Sequence, residues 1–166
     1  MGIIQIRKAK ISDWRFVRHL IARECLNIDS HSQKLLLCDD LQNVYIGVLN
    51  GKLSGFVHVS SGSDVLTINT LCVRYRDRRK NVGASLIFAA LSAASTRGAS
   101  TVIARTRPQS AAIQQALEKA GFDREDDGQE VLYWTEIGAR REVLVAHPST
   151  TTKLLHRLMY WFKFNE

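Results

Sequence analysis

Apolar and polar residues alternate through IIQIR, positions 3–7, with the two-residue period of a half-buried strand. The period then lengthens to that of a helix in KISDWRFVRHLIARECL, where Trp14, Val17, Leu20 and Ile21 share one face and Ser12 or Asp13 is placed to cap the start. SHSQKLLLCDDLQ predicts a second, shorter helix. VYIGVLNGKLSGFVHVS is two apolar strands around Asn50-Gly51, a pair suited to the positive φ angles of a type I′ hairpin turn. VLTINTLCV, 65–73, is a further strand. After Gly83, the residues Leu86, Ile87, Ala90, Leu91 and Ala94 recur at helical spacing until Arg97 and Gly98 provide a cationic last turn and a C-cap. STVIART reads as a buried strand, and PQSAAIQQALEKAGF as a helix with Ile113, Ala116, Leu117 and Ala120 on one side and Gly121 as its stop. EVLYWTEI and REVLVAH, joined through GAR, predict a closing hairpin. Strand, two helices, three strands, helix, strand, helix and two strands make an α/β fold with a mixed sheet flanked by helices.

The apolar pattern organises the chain as a domain over 1–147 and an extension over 148–166. In the extension Leu154, Leu155, Leu158, Met159 and Phe162 fall at helical spacing, a stripe expected to dock on the domain or on a second subunit, which leaves a homodimer open. Its rival reading is a helix lying on a membrane surface. With 166 residues, 45% of them hydrophobic and 23% charged, the chain can bury one real core. No run approaches the roughly 20 consecutive apolar residues of a membrane span, and MGIIQIRKAK lacks an apolar signal core, so a cytoplasmic location is expected. Cys25, Cys38 and Cys72 have no paired spacing and are expected as reduced thiols; the five histidines stand apart, so no metal site is expected.

The net charge of +7 favours anionic partners without choosing among them. Its densest part is the run Arg74, Arg76, Arg78, Arg79 and Lys80, directly before a helix start. Unpaired N–H groups and the helix dipole make such a junction an anion site. A solvated charged face and a nucleic-acid contact are the competing readings; the second is disfavoured because no aromatic stacking pattern is interleaved with the cations.

RRKNVG, 78–83, resembles the R-x-x-G-x-G/A acyl-CoA signature of the GNAT superfamily of N-acetyltransferases, and LCVRYRDRRKNVGASL is similar to that family's wider L-x-V-x-x-x-x-R-x-x-G-x-G-x-x-L pattern. IRKAKISDW resembles the family's opening strand and helix, LNGKLSGFVHV its second hairpin, and ALEKAGF its closing helix end, in the family's order. The resemblance spans roughly residues 1–147. It implies a GNAT-like, mostly antiparallel sheet that splays between the fourth and fifth strands, with acetyl-CoA as co-substrate and an amine-bearing acceptor. Backbone amides of Arg78, Arg79, Lys80, Asn81, Val82, Gly83 and Ala84 would then hold the pyrophosphate, and Leu71, Cys72 and Val73 would run beside the pantetheine arm. Segment 27–37 and the closing hairpin would border the acceptor.

Three positions depart from the family pattern. Asn81 stands at the first glycine, and asparagine enters the left-handed region at modest cost. Leu117 stands where a tyrosine often protonates the departing thiolate, and Ser110 where an asparagine is often found near that helix start. On the fourth strand, where the family often places a glutamate base, Asp64, Thr67, Asn69 and Thr70 are available; Asn69 can orient a water, and Tyr133 is a substitute acid whose plainer reading is packing. A second function therefore stands beside the transferase, a GNAT-like module that binds coenzyme A or a protein without catalysis.

Overall fold

The structure is a computed structural model that describes residues 2–24, 41–126 and 128–138. The alternating opening forms β1 (Ile4–Lys8), and the helical period that follows forms α1 (Trp14–Glu24) after a single 3-10 turn. The Asp13 carboxylate is turned backward rather than forward: it accepts from the Lys10 amide at 2.7 Å and from both terminal nitrogens of Arg7 at 2.6 and 2.8 Å. That fork fixes the angle between β1 and α1, and the Arg7 guanidinium holds the Asp13 carboxyl below its ordinary range. The second predicted helix lies outside the described residues, apart from its end at a 3-10 turn, Leu41–Asn43.

β2 (Val44–Leu49) and β3 (Lys52–Ser61) pair antiparallel around Asn50 and Gly51, both with positive φ, 49° and 76°, as the turn requires. β4 (Val65–Val73) follows, then α2 (Val82–Thr96), β5 (Thr101–Thr106), α3 (Ala111–Lys119), β6 (Asp123–Asp126) and β7 (Val131–Glu136). The strand order is β1-β2-β3-β4-β5-β7-β6, antiparallel throughout except between β4 and β5. EVLYWTEI thus does form a strand of a hairpin, but its hairpin partner is β6, which precedes it; REVLVAH and the extension 148–166 lie outside the described residues. β6 reads DRED, too charged to announce a strand by alternation, and it forms because β7 offers it an edge.

The sheet has two faces with separate cores. α2 buries Val82, Leu86, Ile87, Ala90, Ala93 and Ala94 against β2, β3 and β4, joined by Leu117 of α3 and Tyr133 of β7. Each large aliphatic side chain so buried contributes about 1.5–3 kcal/mol. On the opposite face α1 lays Val17 and Leu20 over Ile46, Phe56 and Cys72. Two glycines set how closely α2 approaches: a Cβ on Gly55 would lie 3.2 Å from Leu86 Cδ1, and one on Gly47 would lie 3.0 Å from Val82 Cγ1. The start of α2 is seated on bare backbone, which places the preceding loop against the end of β4.

Candidate active site

β4 changes character at its middle. Val65, Leu66, Thr67 and Ile68 pair in parallel with residues 101–104 of β5, and the pairing stops at Ile68–Ala104. Beyond that point residues 70–73 keep their ladder to β3 but have no strand on the other edge among the described residues. The β3–β4 register also shifts there: His58 faces Thr70 and Val59 faces Ile68, so Asn69 is the extra residue of a β-bulge. The bulge reverses the alternation. Leu66 and Ile68 belong to the α2 core, whereas Cys72, of the same parity, belongs to the α1 core. The bulge also brings Asn69 next to Thr70 on the α1 face, where Ser60 Oγ donates to Asn69 Oδ1 at 3.2 Å and Asn69 Nδ2 stands 3.5 Å from His58 Nδ1.

The loop after β4 makes a short 3-10 turn, Tyr75–Asp77, and then enters α2 through two left-handed residues, Arg79 with φ 60° and Asn81 with φ 65°. Asparagine tolerates that region better than most residues, and arginine does not, so the Arg79 backbone stores strain of the kind that gathers at binding loops. The Arg78 amide donates to the Tyr75 carbonyl at 3.2 Å, and the Ser85 amide to that of Asn81 at 3.0 Å. Between them the amides of Arg79, Lys80, Asn81, Val82, Gly83 and Ala84 have no acceptor among the described residues. A Cβ on Gly83 would meet only Val73 Cγ2, at an ordinary 3.8 Å, so internal packing does not demand glycine there.

The five cations are not equivalent. Arg78 reaches Glu24 at the end of α1, 3.0 Å, and the Val73 carbonyl, 3.2 Å; Arg74 lies over the Phe16 ring; Lys80 and Arg76 flank Asp77 at 3.4 and 4.0 Å. Arg79 has no ion pair among the described residues. Two clefts of about 410 and 500 Å³ adjoin the loop on its hairpin side, where Lys52, Arg76, Arg79 and Lys80 contribute positive charge.

The remaining sequence candidates separate by face. Leu71 and Val73 pack toward the α2 core, while Cys72 turns to α1 and is disulfide-bonded, which corrects the expectation of a reduced thiol. Tyr133 is fully buried on the α3 side, donating its hydroxyl to Glu118 Oε1 at 3.0 Å, and burial together with that bond pushes its pKa up. Asn69 and Tyr133 thus approach the gap from opposite faces. Ser110 precedes α3 with no side-chain cap bond, and Leu117 is fully buried. Sequence reasoning passed over His58 and Ser60: the partner that brings them into play, Asn69, is aligned with them only by the bulge. It passed over Gly47 and Gly55 as well, since nothing local marks a glycine on which a distant helix rests. Among the described residues no three of His, Cys, Asp and Glu cluster as a metal site, and no helix is long and apolar enough to cross a membrane.

A parallel pair that parts midway, followed by a loop of unpaired amides at a helix start, agrees with the family comparison. The family model described as "Acetyltransferase (GNAT) family" matches residues 11–122. The chain belongs to the GNAT acetyltransferase family. It is accordingly an acetyltransferase domain with acetyl-CoA as co-substrate. Among solved structures it is similar to the ribosomal-protein-S18-alanine N-acetyltransferase of Escherichia coli, at 19% identity and a TM-score of 0.67 over 87% of this chain and 100% of that one. Ard1 of Thermoplasma volcanium has 20% identity and a TM-score of 0.68 over 81% and 97% of the two chains. The PaiA N-acetyltransferase of Thermoplasma acidophilum, in complex with coenzyme A, has 15% identity and a TM-score of 0.68 over 81% and 99%. At these identities the likeness is one of fold. No curated protein sequence matches the chain.

Proposed function

We propose that this GNAT domain transfers an acetyl group from acetyl-CoA directly to an amine, without a covalent enzyme intermediate. The carrying observation is the row of six amides, 79–84, that meet no acceptor among the described residues at the start of α2. A diphosphate supplies the oxygens those donors lack, and Lys52, Arg76, Arg79 and Lys80 place compensating charge around it. The Arg78 amide is already bonded, so the cradle begins at Arg79. The pantetheine arm completes the open edge of residues 70–73, backbone to amide, as a further strand would. This puts the thioester where β4 and β5 part.

The acceptor comes from the α1 face, where Asn69 and Thr70 stand beside the gap. An amine with a pKa near ~10.4 arrives protonated and first gives a proton to water; Asn69 then orients the neutral nitrogen toward the thioester carbon. Attack by the nitrogen forms the C–N bond; collapse breaks C–S, and the departing thiolate takes a proton from the nitrogen or from water. The buried Leu117 can give none, and Tyr133 is engaged by Glu118.

Those last two facts also favour a second reading, a domain that binds coenzyme A and does not turn over. Calorimetry with acetyl-CoA and a thiol-release screen over amines separate the two. Binding with thiol release supports the transferase; binding with none from any amine supports the second reading; no binding at all sinks both.

A further inference from the structure

α1 packs Val17 and Leu20 on the sheet, and its outer face has no part in that packing. Arg15, Arg18, His19 and Arg23 are all exposed there, within about 140° of one another around the helix axis. Arg15 and Arg18 stand in the first two turns, where the positive end of the helix dipole repels a cation, and the first turn holds no acid to offset it. They also repel each other, being one turn apart. Only Arg23, in the last turn, suits the dipole. The acids that flank the helix are committed elsewhere, Asp13 to Arg7 and Glu24 to Arg78. None of the three arginines has an ion pair among the described residues. Charge that local preference opposes, and that no neighbour compensates, points to a partner.

This face is continuous with the open half of β4. Arg74, the residue after that strand, lays its guanidinium 5.2 Å from the centre of the Phe16 ring, on the flank of α1 that Arg23 borders. At the helix end the pair of Glu24 with Arg78 marks where the face stops and the diphosphate loop begins. We propose that the outer face of α1 docks an acidic peptide, so that the acceptor of this domain is a peptide carrying acidic residues near its amine. The inference rests on the transferase reading and names the class of its acceptor. Arg15 and Arg23 lie roughly 12 Å apart along the axis, which an extended peptide spans in about four residues. A polynucleotide carries the same sign of charge, but the face offers its bases no free ring: Phe16 lies under Arg74, and Trp14 packs on the α1 core.

The test uses the full chain with saturating coenzyme A and two fluorescent peptides of equal length with free amino termini. One has three glutamates among its residues 3–7, and the other has glutamines there. In ~0.1 M salt the glutamate peptide should bind about tenfold more tightly by anisotropy, and the difference should close near ~1 M. Arg15→Glu combined with Arg18→Glu should abolish the preference, leave the acetyl-CoA Kd unchanged and melt no earlier than the parent, because acids at a helix start are favourable. If that variant does melt early, Arg15→Gln with Arg18→Gln reads the same loss. Equal binding of the two peptides, a preference that survives the substitutions, or tighter binding of a single-stranded oligonucleotide of equal charge overturns the proposal. Failure to bind acetyl-CoA, or to release thiol with either peptide, counts against the transferase reading; release with both at equal KM counts against this one alone.

Discussion

Residues 66–68 of β4 pair with a strand on each side, whereas residues 70–73, among the described residues, pair only with β3. The first half is ordinary core: Leu66 is fully buried and Ile68 nearly so, both under α2. The second half is less economical. Among the described residues it carries a bulge, an unpaired edge, a buried hydroxyl with no partner, and a loop whose helix entry uses two left-handed residues. Stability is concentrated where both edges are closed, and the proposed site uses the edge left open, because a backbone edge cannot both satisfy itself and receive a ligand.

Substitutions in the two halves should therefore differ in kind. Leu66→Ala, in the closed half, should cost about 2–5 kcal/mol of unfolding free energy in denaturant titrations, through lost transfer energy and the cavity left behind. If it costs under about 1 kcal/mol, the closed half is not the stabilising one. Thr70→Val, in the open half, should leave stability unchanged or raise it by up to about 1 kcal/mol, since it removes a hydroxyl that has no partner among the described residues, while thiol release slows. A strongly destabilised Thr70→Val would mean that the hydroxyl belongs to the fold instead. Asn81→Gly should shift stability least, by a few tenths of a kcal/mol in the favourable direction, as a left-handed site accepts glycine without penalty. Measured by calorimetry, its affinity for acetyl-CoA should stay within about threefold of the parent, because the amide that binds is unchanged by the side chain.

Local periodicity made most of the fold legible. The segments that became β2, β3, β4, α2, β5 and α3 announce themselves through strict alternation, an Asn-Gly turn or helical spacing closed by glycine, all of them properties of neighbours in the chain. β6 was not legible, because DRED becomes a strand only where β7 lends it an edge. The cationic loop was visible as a cluster of Arg and Lys before a helix, but the division of labour within it was not. That Arg78 is committed to Glu24, 54 residues away in sequence, follows from where α1 ends in space.

By itself the order of residues determined most of the described elements, the hairpin turn, the family and the position of the cationic loop, since each depends on chemistry within a few positions of chain. Only the tertiary structure decided that β4 slips by one residue at Asn69, that His58 and Ser60 meet it there, and that Asn69 and Tyr133 lie on opposite faces. A bulge is a relation between two strands. Its position lies between Ile68 and Cys72, which share a parity on β4 yet pack on separate cores, and the alternation of β4 alone does not announce that change of face.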